Sequence, residues 1–378
     1  MCASTEKKCF QYTHTHPVQV AQAAGLRYTD NDKTSRPVQA GKERGGGMAY
    51  RADEARYSAM QYARSGHSGL VLPRVALGLW HNFGLQDSFS AMRETLCTAF
   101  DCGITYFDLA NNYGPVPGSA EENFGRILHG ELAAYRDELI IATKAGYRMW
   151  PGPYGSGGSR KAMLASLDQS LARMRLSYVD IFYSHRMDPD TPLEETMGAL
   201  ASAVRQGKAL YAGLSNYDGE TAARAAALLE AEGCPLAVCQ NRYSMLDRTV
   251  EHNGLLAFAR VAGKGVAAFS PLAQGLLSGR YLHGIPQGSR IERGNSVRMT
   301  PQALTPALLQ GLEKLGGLAA ARGQTLAQLA LSWVLSAPGV TSVLVGASSA
   351  AQLRENAACL AAGPLSRQER EAAAAVFG

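Results

Sequence analysis

The sequence predicts an α/β chain folded as a (β/α)8 TIM barrel with an N-terminal hairpin and extra C-terminal helices. Three observations predict it. Eight short apolar runs alternate with amphipathic stretches of helical period. The runs are nearly continuous in apolar residues, as strands covered on both faces must be. Three consecutive runs also stop at groups that can move a proton: 104–113 at Asp108 and Tyr113, 139–144 at Lys144, and 179–185 at His185. Parallel strands bring their C-terminal ends to one face, so the four groups converge on a single mouth, where barrels of this kind carry their active sites.

The elements follow in order. Residues 1–55 are polar, lack any period and contain the string GKERGGG; they are expected to form a disordered extension, with Met48 a candidate initiator, ahead of one barrel domain over 56–378. MQYARSG and LVLPRV flank a glycine turn and read as a short hairpin. The expected strands are VALGLW (75–80), ITYFDLA (104–110), LIIATKA (139–145), VDIFYSH (179–185), ALYAGLSN (209–216), LAVCQNRY (236–243), VAAFSPL (266–272) and TSVLVGA (341–347). Helical stretches such as SAEENFGRILHG, SRKAMLASLDQSLARM, PLEETMGALASAVRQGK and GETAARAAALLEAEG lie between them. A Gly-, Pro- and Arg-rich stretch over 276–303 is irregular, and loops of that length in a compact domain are usually functional. Two further helices precede the eighth strand, and SRQEREAAAAVFG closes the chain as a terminal helix.

Composition narrows the class. The chain of 378 residues is 46% hydrophobic and 18% charged, the balance of a water-soluble globular domain with a full core. Its net charge of +5 is scattered, which argues against a nucleic-acid stripe. No apolar run is long enough to span a bilayer, and MCASTEKKCF lacks the apolar core of a secretory signal, so a cytoplasmic protein is expected. The 7 cysteines form no Cys-x-x-Cys pair, which favours reduced thiols over disulfides or zinc. His14 and His16 are the only other hint of metal ligation, and histidines in a polar tail are ordinarily bland.

The chemistry of the four groups is that of a general acid. Tyrosine keeps its proton at neutral pH, a nearby ammonium such as Lys144 is expected to lower the pKa of Tyr113, and Asp108 would hold that ammonium in place. His185 would orient a carbonyl oxygen or share in proton transfer. No Gly-x-Gly-x-x-Gly joins a strand to a helix, so a Rossmann dinucleotide site is excluded. The glycines of GPYGSGG before Ser159 could shape an anion site at a helix N-terminus, or simply a loop before a capped helix. The turn VGASSAAQLREN offers a second candidate, with Ser348 opening the helix after the eighth strand as either anion ligand or cap.

Together with the strings LGLWHNFG, FDLANNYGP, FYSHRMD, SPLAQGLLSGRY and VLVGASSAAQLREN, these residues resemble the aldo-keto reductase family, most of all its bacterial L-glyceraldehyde 3-phosphate reductases, relatives of the voltage-gated potassium channel β subunits. The resemblance runs from about Met60 to the last helix. It implies that Asp108, Tyr113, Lys144 and His185 form a catalytic tetrad, and that NADPH binds in extended form without a Rossmann motif. The cofactor contacts it implies are Trp80, Gln86, Asp108, Ser215, Asn216, Gln240, Ser270, Leu272, Gly275, Arg280, Arg290, Gly346, Ser348, Gln352, Glu355 and Asn356, with Tyr243 stacked on the nicotinamide. Arg280 or Arg290, with Ser348 and Gln352, would take the 2′-phosphate. The substrate would be a small aldehyde, glyceraldehyde 3-phosphate or methylglyoxal, bound among Tyr113, His185, Trp80 and Trp150, with Arg148 or Arg160 on its phosphate. The family also implies a homo-oligomer. The string NRYSML after Gln240 departs from the family's expected PSYN-like pattern at the nicotinamide wall.

Two other functions fit the residues less well. A regulatory NADPH-binding subunit like the channel β subunits is disfavoured because those proteins commonly lack the histidine present here as His185. A glycoside hydrolase needs two opposed carboxylates, whereas the expected partner of Asp108 is Lys144.

Overall fold

A closed barrel of eight parallel strands forms the centre of the computed structural model, which describes residues 50–114, 116–294 and 300–377, the side chains of Arg290 and Arg293 excepted. An antiparallel hairpin, β1 (Tyr62–Arg64) and β2 (Val71–Pro73), precedes it. The barrel strands are β3 (Val75–Gly78), β4 (Tyr106–Asp108), β5 (Ile140–Ala145), β6 (Val179–Ser184), β7 (Ala209–Ser215), β8 (Leu236–Arg242), β9 (Gly265–Phe269) and β10 (Val340–Val345). They pair in chain order, and β10 closes the ring on β3.

The helices are α1 (Phe89–Asp101), α2 (Ser119–Ile127), α3 (Arg160–Met174), α4 (Leu193–Arg205), α5 (Gly219–Ala231), α6 (Thr249–His252), α7 (Leu255–Val261), α8 (Arg290–Arg293), α9 (Pro306–Ala321), α10 (Leu326–Leu335), α11 (Ala350–Ala357) and α12 (Arg367–Ala374). Their starts follow from short polar side chains. The Oγ of Ser159 accepts from the Ala162 N–H at α3, and Thr325 with Gln328 and Ser366 with Glu369 form reciprocal caps at α10 and α12. Ser349, not Ser348, caps α11, which corrects the expected helix start by one residue.

Two apolar layers result. Between strands and helices lies the main core, containing Phe107, Phe124, Leu200 and Trp333. Inside the barrel, Ala76, Tyr106, Ala142, Ile181 and Tyr183 pack with Leu70 and Leu72 of the hairpin. Burying each leucine of that pair contributes roughly 1.5–3 kcal/mol. The hairpin therefore closes the N-terminal end of the barrel. Ser65 Oγ donates to the Ala237 carbonyl 2.8 Å away, and the His67 N–H to Gly263. Gly213 on β7 lies in register with Tyr183, and a Cβ there would stand 2.4 Å from the Tyr183 ring, so only glycine leaves that phenol room inside the barrel.

Residues 1–49 lie outside the described residues, and residues 50–55 correct the expected domain boundary. The Tyr50 hydroxyl donates to Asp101 at 2.6 Å, the Ala52 N–H to the Tyr135 hydroxyl at 3.1 Å, and Ala52 itself is buried. The start of the barrel domain is thus at or before position 50. Among the described residues no helix is long and apolar enough to cross a membrane, and no cluster of His, Cys, Asp and Glu could hold a metal ion.

Candidate active site

The strand ends bring the four proton-transfer residues together. Asp108 ends β4, Lys144 lies near the end of β5, and His185 follows β6 directly. The chain then turns after β4 through Ala110 to Tyr113, whose N–H donates to the Ala110 carbonyl. Lys144 is fully buried, and each N–H of its ammonium has an acceptor: Asp108 Oδ2 at 2.6 Å, the Leu109 carbonyl at 2.7 Å and the Tyr113 hydroxyl at 3.3 Å. Removing either partner of such a pair leaves an uncompensated buried charge, at about 3–5 kcal/mol. The His185 ring stands edge-on to Tyr113, with centroids 5.9 Å apart, and to Tyr147 at 4.6 Å.

Burial dominates the titration of these groups. It pushes the Tyr113 phenol well above its ordinary value, and the negative charge of Asp108 adds to the rise. The phenol expected to be lowered by Lys144 is therefore raised on balance, because burial outweighs the pull of an ammonium already paired with Asp108. Burial also pulls Lys144 down, against the opposing pull of Asp108. His185 is held well below the usual imidazole range by burial and then by the charges of Lys144 and Arg186, so its ring is neutral at pH 7.

A cavity of about 770 Å³ opens beside the tetrad, lined by Asp108 and Tyr113 but not by Lys144 or by His185, which was expected on the substrate. Of the residues expected there, Trp80, Asp108, Tyr113, Ser270, Leu272, Gly275, Arg280, Gly346, Ser348 and Gln352 line it. Trp80 is 46% exposed and lies 6.2 Å from the Tyr113 ring, which places it at the opening. The loop after β9 carries strained backbone: Ser270, Ala273 and Gln274 have φ of 54°, 47° and 59°, a region L-residues rarely adopt. The Ser348 N–H and hydroxyl both meet Gln352 Oε1, at 2.8 and 3.0 Å.

Other expected residues lie elsewhere. Gln240 is turned beneath the cavity, where Nε2 donates to Asp108 Oδ1 at 2.7 Å. Ser215 pairs with Gln240 in register, and Asn216, at φ 61°, donates to Ser215 and to the His185 carbonyl. Asn356 is buried with Nδ2 unpartnered. Gln86 and Glu355 are exposed, Trp150 is half-buried, and none of the three lines the cavity. The side chain of Arg290 lies outside the described residues.

Tyr243 is a correction. Its ring faces outward from β8, packs on Trp333 at 5.4 Å, and its hydroxyl donates to Glu251 and accepts from Arg370. The residue that faces the cavity is Arg242, two positions after Gln240 on the same strand face, with its guanidinium 5.7 Å over the Phe269 ring and 3.8 Å from Asp247. The period of two could have found it. His81, Asn82, Asp87 and Phe269, which no motif in the sequence singles out, also line the cavity.

The two arginines expected on a substrate phosphate do not reach the cavity. Arg148 is exposed on the loop after β5, and Arg160 is tied to the Gly198 carbonyl. At the start of α3 the Gly158 and Arg160 N–H groups already donate to Asp188 and Glu195, so the expected anion site there is filled by the protein's own carboxylates.

The residues fit a dinucleotide cofactor. A strained loop, two guanidinium groups and the Ser348–Gln352 pair line one cavity. The chain is also similar to known proteins. Residues 74–376 match the aldo/keto reductase family. The chain is 59% identical over 315 residues to the L-glyceraldehyde 3-phosphate reductase of Escherichia coli (strain K12), covering 83% of this chain and 91% of that one. It is 36% identical over 303 residues to a probable voltage-gated potassium channel subunit beta of Arabidopsis thaliana, covering 79% and 90%. A crystal structure of a thermostable aldo-keto reductase with the inhibitor epalrestat superposes with a TM-score of 0.66 at 29% identity, covering 84% of this chain and 100% of that one.

Proposed function

The chain belongs to the aldo/keto reductase family, and from that premise we propose that it reduces small aldehydes with NADPH, a phosphorylated three-carbon aldehyde such as L-glyceraldehyde 3-phosphate first among them and methylglyoxal a further substrate. One observation carries the reading. The ammonium of Lys144 donates to the oxygen of Tyr113, which leaves the phenol's own proton free to point into the cavity.

Reduced nicotinamide, when bound, supplies hydride to a carbonyl carbon. Tyr113, which burial keeps protonated, gives its proton to the carbonyl oxygen as negative charge develops there. Lys144, held by Asp108, then stabilises the phenolate left behind. The neutral ring of His185 orients the carbonyl oxygen, and Trp80 walls the opening. Arg280, Ser348 and Gln352 hold the 2′-phosphate, which favours NADPH over NADH. Arg242 lines the same cavity as Asp108 and Tyr113 and shares a strand face with Gln240, which supports it as the partner for the aldehyde's phosphate. The family resemblance supports a cytoplasmic homo-oligomer.

The test is loss of NADPH absorbance with a panel of aldehydes, NADH run in parallel. Turnover fastest with the phosphorylated aldehyde and NADPH supports the reading; no oxidation of either cofactor with any aldehyde overturns it.

A further inference from the structure

Two phenols lie beneath the tetrad, inside the barrel. Tyr106 and Tyr183 are both fully buried, and their hydroxyls are 2.9 Å apart. The Tyr106 hydroxyl is 3.2 Å from Asp108 Oδ1, the oxygen that also accepts from Gln240 Nε2, and Gln240 Nε2 is 3.4 Å from the Tyr106 hydroxyl. A carboxylate only accepts, so the Tyr106 proton belongs to Asp108. The Tyr106 oxygen then accepts from Tyr183, which fixes the remaining proton. Asp108 is thus divided: Oδ2 serves Lys144, and Oδ1 is gripped from below. A buried hydroxyl is costly where phenylalanine would fill the same space, and Gly213 is given over to accommodating one of these rings.

We propose that Tyr106 and Tyr183 are positioning residues for the reduction: they anchor Asp108 Oδ1 so that Oδ2 stays on Lys144, and thereby set the ammonium behind Tyr113. The proposal rests on the aldehyde reductase reading for its kinetic consequences, and on geometry alone for its effect on Lys144. The groups that face Lys144 are Asp108, Tyr113 and Tyr183, with Glu121 and His185 acting on or sensing its charge from further away. Loss of the Tyr106 hydroxyl leaves Gln240 as the one remaining donor to Oδ1 among the described residues, which loosens the carboxylate and weakens its hold on the ammonium.

The experiment compares wild type, Tyr106→Phe and Tyr183→Phe, each also combined with Asp108→Asn. In Tyr106→Phe, kcat is expected to fall about tenfold, the loss of one charge-assisted hydrogen bond, with the KM for aldehyde and the Kd for NADPH changed less than twofold. Tyr183→Phe, which keeps the Tyr106 contact, should lose less. In the Asp108→Asn background neither change should cost anything further, because both act through that carboxylate. Additive losses in the double variants, or an unchanged kcat in Tyr106→Phe, would overturn the proposal. Titration of the Lys144 side-chain nitrogen by NMR of lysine-labelled protein, assigned with Lys144→Met, reads the same link without turnover: Tyr106→Phe should lower its midpoint, and an unchanged midpoint overturns the proposal. If wild type reduces no aldehyde, the functional reading fails while the titration still decides this one.

Discussion

The ammonium of Lys144 donates to the phenol oxygen of Tyr113 across 3.3 Å, and this one contact determines which way the phenol's proton can leave. With Asp108 and the Leu109 carbonyl taking the other two N–H groups, Lys144 has no donor to spare and no lone pair to offer. It acts as a fixed positive charge, and Tyr113 is the acid.

Replacing Tyr113 by phenylalanine is therefore expected to lower kcat by about 10²–10⁴ while leaving the Kd for NADPH, read by fluorescence quenching, within twofold. Retained turnover would assign the proton to another group.

His185 makes stability pH-dependent. Its folded pKa lies well below that of the unfolded chain, near 6.5, so below that pH the unfolded state binds a proton that the folded state refuses. Stability should therefore fall as pH drops through about 6.5, by up to about 1.4 kcal/mol per pH unit, until the folded pKa is reached. Urea midpoints between pH 7.5 and 5.5 should drop in wild type and drop less in His185→Asn. Carboxylates held below their usual range, such as Glu131 and Glu251, act at more acidic pH.

Arg242→Ser should raise KM for a phosphorylated aldehyde by about tenfold and for methylglyoxal by less than twofold, the difference reporting the lost charge-assisted contact. Equal changes for both substrates would remove Arg242 from the phosphate.

At Gly213 the prediction concerns packing. Gly213→Ala drives a methyl into the Tyr183 ring and is expected to cost about 1–3 kcal/mol in chemical denaturation. A cost near zero would mean that the ring moves freely.

Much of this was legible in the sequence, for a physical reason. Strands covered on both faces must be apolar throughout, so Asp108, Lys144 and His185 stood out as the points where that requirement stopped. Contacts between distant segments were not legible. Tyr50 and Ala52 belong to the barrel through partners 47 to 83 residues away, and nothing local announces that. The raised pKa of Tyr113 depends on how much of the folded molecule surrounds it. The position of Tyr243 follows from the strand's period of two, which puts Arg242, and not its neighbour, on the side of Gln240, whatever the family string suggests.

Leu70 and Leu72 fill one end of the barrel, and the cavity lined by Asp108 and Tyr113 opens at the other. Two reactants that meet at the tetrad must pass through that opening in sequence, so the one that lodges deeper has to arrive first and depart last. Product-inhibition patterns should accordingly show a compulsory order of addition, with the second ligand trapping the first.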